Sequence, residues 1–353
     1  MIINQLSVKN FRNIENVLIN PFEEINVIYG ENAQGKTNII ESIWLFTGAK
    51  SFRTNKDASL IKFNKAFAEN TLNFVSRGIN TTAKIIIDEK KQFFINNKKV
   101  SLQNDFLGNF KAIVFSPNDL NIVKSGPNER RRFLDIVLGQ LYPNYVSILR
   151  EYSRALIQRN KIIKDYKYDA SVAILLDSFE QELVILGTKI INARKKIIED
   201  ILKYLPDIYD GISNGKEKIS IKYLSTAEGN FDLKLKENRK KDSLLGFTTV
   251  GPHRDDIEFY INDINARNYG SQGQHRSIAL SLKLAEAEVI NKISGEFPVC
   301  LLDDVMSELD VSRQNYILNH IKGKQTFITC CDISNIEQLK NGKVFKVFNG
   351  GIL

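Results

Sequence analysis

Two short segments near opposite ends of the chain carry residues suited to chemistry on a phosphate. The first is Gly30-Glu31-Asn32-Ala33-Gln34-Gly35-Lys36-Thr37, of the form G-x-x-x-x-G-K-[ST]. Its glycines permit backbone conformations that a side chain obstructs, so successive N–H groups can converge on phosphate oxygens. Lys36 is expected to reach the terminal phosphates of a nucleotide, and the Thr37 hydroxyl to ligate Mg²⁺. The expected ATP-binding set is Gly30 to Thr37 with the adjoining Asn38. The second segment is Val299-Cys300-Leu301-Leu302-Asp303-Asp304, an apolar run finishing in two carboxylates. Asp303 is the expected metal partner, directly or through water. Asp304, one residue on, is placed to orient or activate an attacking water. Lys36 and Asp304 are therefore the candidate catalytic residues, and Thr37 and Asp303 the candidate metal ligands.

These residues need rigid elements behind them. Glu23-Glu-Ile-Asn-Val-Ile-Tyr29 is mostly a β-branched apolar run and reads as a buried strand ending at Gly30. The stretch through Ile39, Ile40, Ile43, Trp44 and Leu45 reads as a helix, whose N-terminus adds positive charge at the loop. The run before Asp303 reads as a parallel strand, whose C-terminal edge is where ligands of open α/β sheets collect. More than 250 residues separate Lys36 from Asp303, so a large insertion is expected between two halves of one head.

Ser271-Gln272-Gly273-Gln274, opening a helix with apolar positions Ile278, Leu282, Leu284, Ala285, Val289 and Ile290, resembles the ABC-type signature. Its hydroxyl, glycine backbone and helix dipole suit an anion. The resemblance implies action in trans, on the nucleotide held by a second copy. Ser307-Glu308-Leu309-Asp310 matches the loop that meets its counterpart across the dimer in such ATPases, which makes Ser307 and Asp310 candidate dimer contacts. Lys9-Asn10-Phe11-Arg12-Asn13 is similar to the first strand and turn of the SMC-like branch, where a basic residue lies near the nucleotide; Arg12 joins the ATP-binding set on that ground.

Together these residues resemble the RecF family of SMC-like ATPases over essentially the whole chain. Phe115-Ser-Pro-Asn118-Asp-Leu120 leading to Arg130-Arg-Arg-Phe-Leu-Asp135, and Gly251-Pro-His-Arg-Asp-Asp256, favour that family over its relatives. The resemblance implies an α/β fold: an ABC-type, SMC-like ATPase head with an antiparallel β lobe and an inserted short helical arm. The expected division is 1–120 for the N-terminal part of the head, 121–245 for the arm and 246–353 for the C-terminal part. The implied cofactors are ATP and Mg²⁺. The implied partners are gapped DNA at single-strand/double-strand junctions, a second copy of the chain, RecO and RecR, and RecA indirectly. Hydrolysis is expected to be slow and to act as a release step. The alternative is the ATPase subunit of an ABC-type transporter. A GTPase fits less well, because Asn55-Lys56-Asp57 is one residue short of the base-reading Asn-Lys-x-Asp pattern.

Composition sets limits. The 353 residues are 43% hydrophobic and 25% charged, the balance of a globular protein rather than a disordered one. No apolar run approaches the roughly 20 residues that span a bilayer. The opening residues lack a charged leader before an apolar core, so no signal peptide is expected. Three cysteines are too few for a disulfide framework, and a reducing cytoplasm is the natural compartment. The net charge of +8 permits nucleic-acid contact without requiring it. The densest basic runs begin at Arg130, Arg194 and Arg239, and each has an equal reading as an ordinary helix face or turn.

Two heptad-like series lie in the insertion. One runs Tyr145, Leu149, Tyr152, Leu156, Ile163, Tyr166 and is interrupted at Arg159. After a polar break near Asp169, the other runs Leu176, Phe179, Leu183, Leu186, Ile190, Ala193, Ile197. An antiparallel hairpin is expected, either as an arm or lying flat on the head. Ala83–Ile87 and Gln92–Ile95 predict an antiparallel lobe near the phosphate loop. Two departures from transporter heads point to slow turnover. Asp304 stands where those usually carry Glu, and Cys330-Cys331-Asp332 stands where they often place a histidine. Thr329 or a neighbour is then the expected γ-phosphate sensor, with His253 and His275 as alternatives that have structural readings of their own.

Overall fold

The computed structural model describes residues 1–54, 56–100, 103–117, 119–167, 172–331 and 342–353. Asn55, Asn118, Asp169 and Asp332, singled out above, lie outside the described residues. The central sheet runs in the order Gly351–Ile352, Lys343–Phe348, Ile25–Tyr29, Thr326–Cys330, Val299–Leu302, Ala112–Phe115. All neighbours are parallel except the short edge strand Gly351–Ile352. Strands from both ends of the chain therefore make one sheet, and the strand before Gly30 lies beside Thr326–Cys330, itself next to the strand before Asp303.

Alternation along these strands explains why they are apolar throughout. Val27, Ile113, Leu302 and Ile328 face one core; Ile28, Val114, Leu301 and Phe327 face another. A strand buried on both faces has no polar side to show. The second core lies under a six-stranded antiparallel sheet that includes Ile2–Phe11, Ala68–Ser76, Ile79–Ile87 and Lys91–Ile95. This is the lobe foreseen from its β-type runs. The helix Lys36–Trp44 fills the space between the two sheets with Ile39, Ile40 and Ile43, all fully buried.

The first core holds the insertion. Helices Pro143–Ile162 and Val172–Leu202 pack along each other, and Tyr145, Tyr152, Leu183, Leu186, Ile190 and Ile197 share one apolar cluster with Ile278, Leu282 and Leu284 of the helix Gln272–Ser294. The hairpin is thus a short arm seated against the head, thickened by the helices Phe231–Glu237 and Arg239–Leu245.

The interruption at Arg159 has a physical cause. Its guanidinium is fully buried and donates to Glu180 at 2.9 and 3.0 Å, to Asp242 at 2.8 Å and to the Thr248 hydroxyl at 2.8 Å. Both carboxylates are fully buried too. Removing one partner of such a cluster strands a charge without solvent, so Arg159→Ala is expected to cost about 3–5 kcal/mol. Thermal denaturation should show a fall in Tm of several degrees; an unchanged Tm would contradict this account.

The first arginine of each basic run is likewise tied down by carboxylates, with Arg130 and Arg194 buried and Arg239 half-buried. Arg130 makes a bidentate pair with Asp256 at 2.6 and 2.8 Å, and Arg194 another with Asp135 at 2.9 Å. Arg239 holds Glu180 and Asp177. These pairs join Arg130–Asp135 to Gly251–Asp256, since Arg131 also reaches the Asp255 carbonyl and Arg194 the Pro252 carbonyl, both at 2.6 Å. The two family-favouring segments form one polar contact inside the fold.

Candidate nucleotide site

The phosphate loop is held from outside by its own neighbours. Gly35 caps the helix Lys36–Trp44 at φ 117, and a Cβ there would lie 2.8 Å from Asn13 Oδ1. Gly30 has no more room: a Cβ would meet the Val347 carbonyl oxygen at 2.4 Å. The Lys36 ammonium is folded into the loop, donating to the carbonyls of Gly30 at 2.7 Å and Glu31 at 3.1 Å, with the Cys331 thiol at 3.5 Å. A desolvated ammonium ringed by backbone oxygens is a charge ready to be taken up by an anion.

Asn13 is the residue that the expected site set omitted. Its Nδ2 donates to the carbonyls of Ala33 at 3.2 Å and Gln34 at 3.1 Å, and its Oδ1 accepts from Asn38 Nδ2 at 2.7 Å. The C-terminal hairpin closes the other side: the Asn349 and Gly350 amides donate to the Gln34 side chain at 2.6 Å and its carbonyl at 2.9 Å. Nothing in the sequence spacing marks either contact, because both arise from chain segments meeting in space. Arg12 lies beside these residues with its guanidinium on the buried Glu41 at 2.8 and 2.9 Å. Arg53 reaches Asn38 Oδ1 at 2.6 Å, and the Asn32 side-chain oxygen accepts from the Cys331 thiol at 3.0 Å.

The acidic strand delivers Asp303 to the loop. Thr37 Oγ1 donates to Asp303 Oδ1 at 2.8 Å, and Thr329 Oγ1 donates to the same oxygen at 2.9 Å. Burial raises the carboxyl above its usual range, and the two hydroxyls partly offset that. A hydroxyl and a carboxylate this close, at the start of a helix behind a phosphate loop, suit a hard cation that takes its other ligands from water and phosphate. Asp304 follows at φ 51, with its amide donating to Thr329 Oγ1 at 2.8 Å and its carbonyl accepting from Ser307 Oγ at 2.8 Å. Left-handed backbone in a non-glycine residue persists where its surroundings fix it, and such positions cluster at functional sites. Asp304 opens on a cleft of about 440 Å³ with Asn32, Pro117, Ser307, Thr329 and Cys331.

The signature segment lines a different cleft, also of about 440 Å³, shared with Lys216, Glu217, Asp310 and Arg313. Ser271 caps its helix reciprocally: Ser271 Oγ accepts from the Gln274 amide at 3.2 Å, and the Ser271 amide donates to Gln274 Oε1 at 2.7 Å. Gln272 and Gly273 form the first turn, and Gln274 Nε2 donates to Glu217 at 2.7 Å. Asp310 caps the next helix, accepting from the Arg313 amide at 2.9 Å. Neither Lys36 nor Asp303 belongs to the wall of this second cleft.

The histidines have structural partners. His275 is buried with Nε2 on the Ala266 carbonyl at 2.7 Å, and His253 sits between the Tyr152 hydroxyl at 2.7 Å and the Thr248 carbonyl at 3.0 Å. Burial pushes His253 down to about 4, so it is neutral near pH 7. Thr329 meets Asp303 directly, so of the sensor candidates it is the one whose side-chain contact with the acidic pair is seen.

A phosphate loop, an acidic parallel strand, an antiparallel lobe and a capped signature helix on a helical insertion define a P-loop ATPase head of the SMC type. The chain matches the RecF/RecN/SMC N terminal domain over residues 2–350. It is 42% identical over 362 residues to the DNA replication and repair protein RecF of Clostridium perfringens, covering 100% of this chain and 99% of that protein. It is 39% identical over 360 residues to the protein of the same name from Lachnospira eligens, with coverage of 100% and 99%. The chain belongs to the RecF family. The recombination mediator protein RecF-ATPrS of the RecFOR pathway superposes with a TM-score of 0.92 at 34% identity, over 99% of this chain and 97% of that one. The Smc head domain from Pyrococcus furiosus, at 16% identity and TM-score 0.56 over 99% and 95% of the two chains, shares the fold alone.

Proposed function

We propose that this chain is an ATP-dependent DNA-binding protein of replication and recombinational repair, working as a nucleotide-gated dimer. Two ATP molecules would lie between the phosphate loop of one chain and the Ser271 segment of the other. The observation that carries this reading is that two clefts share no lining residue: Asp304 and Thr329, the latter bonded to Asp303, line one, and Ser271 and Asp310 line another. In this reading each cleft supplies one side of the nucleotide's surroundings, so ATP joins two chains and its hydrolysis releases them.

In this reading Lys36 holds the terminal phosphates, Thr37 and Asp303 hold Mg²⁺, Asp304 orients the attacking water and Thr329 senses the γ-phosphate. Mg²⁺, when bound, neutralises developing charge on the phosphates. The division at about 120 and 245 marks the arm off from the two parts of the head. A relative named DNA replication and repair protein RecF, and solved structures of the recombination mediator protein RecF in the RecFOR pathway, support a role in DNA repair; gapped DNA as the ligand, RecO and RecR as partners and RecA loading as the outcome belong to the proposal. The cytoplasm is the matching compartment, and among the described residues no helix is long and apolar enough to cross a membrane.

Fluorescence anisotropy on a labelled gapped duplex, with an intact duplex as control, tests the DNA arm. Binding to the gapped form should strengthen at least about 10-fold with ATP and weaken steeply with salt. Equal affinity for both DNAs, indifferent to ATP, would contradict it, and co-sedimentation with membranes would favour a transporter subunit instead.

A further inference from the structure

Two arginines fasten the signature segment to the Ser307–Asp310 loop of the same chain. Arg276, just over one helical turn beyond Ser271, gives Nη2 to the Glu308 carboxylate at 2.7 Å and Nη1 to the Glu308 carbonyl. Arg313, from the helix Val311–His320 after the loop, donates to the Ser277 hydroxyl at 3.1 Å and the Gly273 carbonyl at 3.4 Å while pairing with Asp310. The loop also reaches back, since the Ser307 hydroxyl donates to the Asp304 carbonyl. Asp304 is thus held at its left-handed φ by two hydrogen bonds: its amide donates to Thr329 Oγ1, and its carbonyl accepts from the loop that Arg276 grips.

We infer that Arg276 is a positioning residue for hydrolysis, carrying the state of its own signature segment through Glu308 and Ser307 to Asp304 of the same chain. The inference rests on the dimer reading, in which that signature touches the partner's nucleotide. Each Asp304 is then set in place when its own chain's signature is seated on the other nucleotide, so the two sites work as a coupled pair. Arg313 holds the far end of the loop, at Asp310, and steadies the assembly without touching the turn that bonds Asp304.

Exposure separates this role from a structural one. The Arg276 and Glu308 side chains are 29% and 46% exposed, a setting in which an ion pair contributes little to stability. Misplacing a catalytic group by about 1 Å, by contrast, costs on the order of 100-fold in rate. The pair should therefore appear in kcat and hardly at all in Tm.

The test uses full-length chains: Arg276→Ala, Glu308→Arg, and the double variant Arg276→Glu/Glu308→Arg. ATP hydrolysis is followed against ATP concentration with gapped DNA, and solution mass with and without Mg²⁺-ATP. Arg276→Ala should lower kcat at least about 10-fold, leave KM within about 2-fold, still dimerise, and reduce the Hill coefficient toward 1. The charge-swapped double variant should exceed either single variant by at least about 3-fold, as a re-formed pair requires. An unchanged kcat in Arg276→Ala, a swap no faster than the singles, or loss of dimerisation along with kcat would overturn the inference. A wild-type mass indifferent to ATP would overturn the dimer reading itself, and this inference with it.

Discussion

Lys36→Met is expected to weaken nucleotide binding roughly 100-fold while leaving the fold in place. Methionine keeps the length and the apolar stem of the side chain but supplies none of its three donors. The Gly30 and Glu31 carbonyls, now bonded at 2.7 and 3.1 Å, lose that partner, and an incoming phosphate loses its charge-assisted bond. A bond of that kind contributes about 3 kcal/mol, so ATP affinity should fall roughly 100-fold. Isothermal titration with Mg²⁺-ATP measures it, and the unfolding temperature checks that the chain is intact. A variant that still bound ATP within a few-fold of wild type would mean that the loop, not its lysine, holds the phosphates.

Asp304→Asn should separate binding from hydrolysis. Asparagine is among the residues that best tolerate φ 51, so the backbone geometry and its bonds to Thr329 and Ser307 should survive. What is lost is the negative charge that orients or deprotonates water, and loss of such a group costs about 10²–10⁴ in rate. Single-turnover hydrolysis should slow by at least about 100-fold, ATP affinity should stay within about 2-fold, and any ATP-bound dimer should live longer. If the rate were unchanged, Asp304 would be a structural turn residue and the attacking water would be placed by another group.

Much of the candidate site's geometry was legible because its segments are local in sequence. Gly30 to Thr37 need a strand before them and a helix after them, and both are written in adjacent apolar periods. Asp303 was found because a strand buried on both faces must be apolar until it ends. The meeting of Thr37 with Asp303 could be expected from the chemistry of Mg²⁺, although their separation of 266 residues gives no direct sign of it. Other features were hidden for a physical reason. Asn13 and Asn349 support the loop through contacts between distant segments, and no periodicity encodes them. Arg130, Arg194 and Arg239 look like surface charge in sequence, yet each is held in an ion pair by a carboxylate distant in the chain: Asp256, Asp135 and the buried Glu180. The interruption at Arg159 was visible as a flaw in a heptad; only the position of Glu180 and Asp242 explains it.

In the proposed dimer, ATP joins two chains through the phosphate loop of one and Ser271 of the other. Solution mass of the 40.3 kDa chain, with and without Mg²⁺-ATP and again with a gapped duplex, tests it most directly. Wild type should shift from monomer to dimer with ATP, more completely with DNA, whereas Ser271→Arg should bind ATP and remain monomeric. A wild-type monomer under every condition, or a Ser271→Arg chain that dimerises normally, would contradict the account.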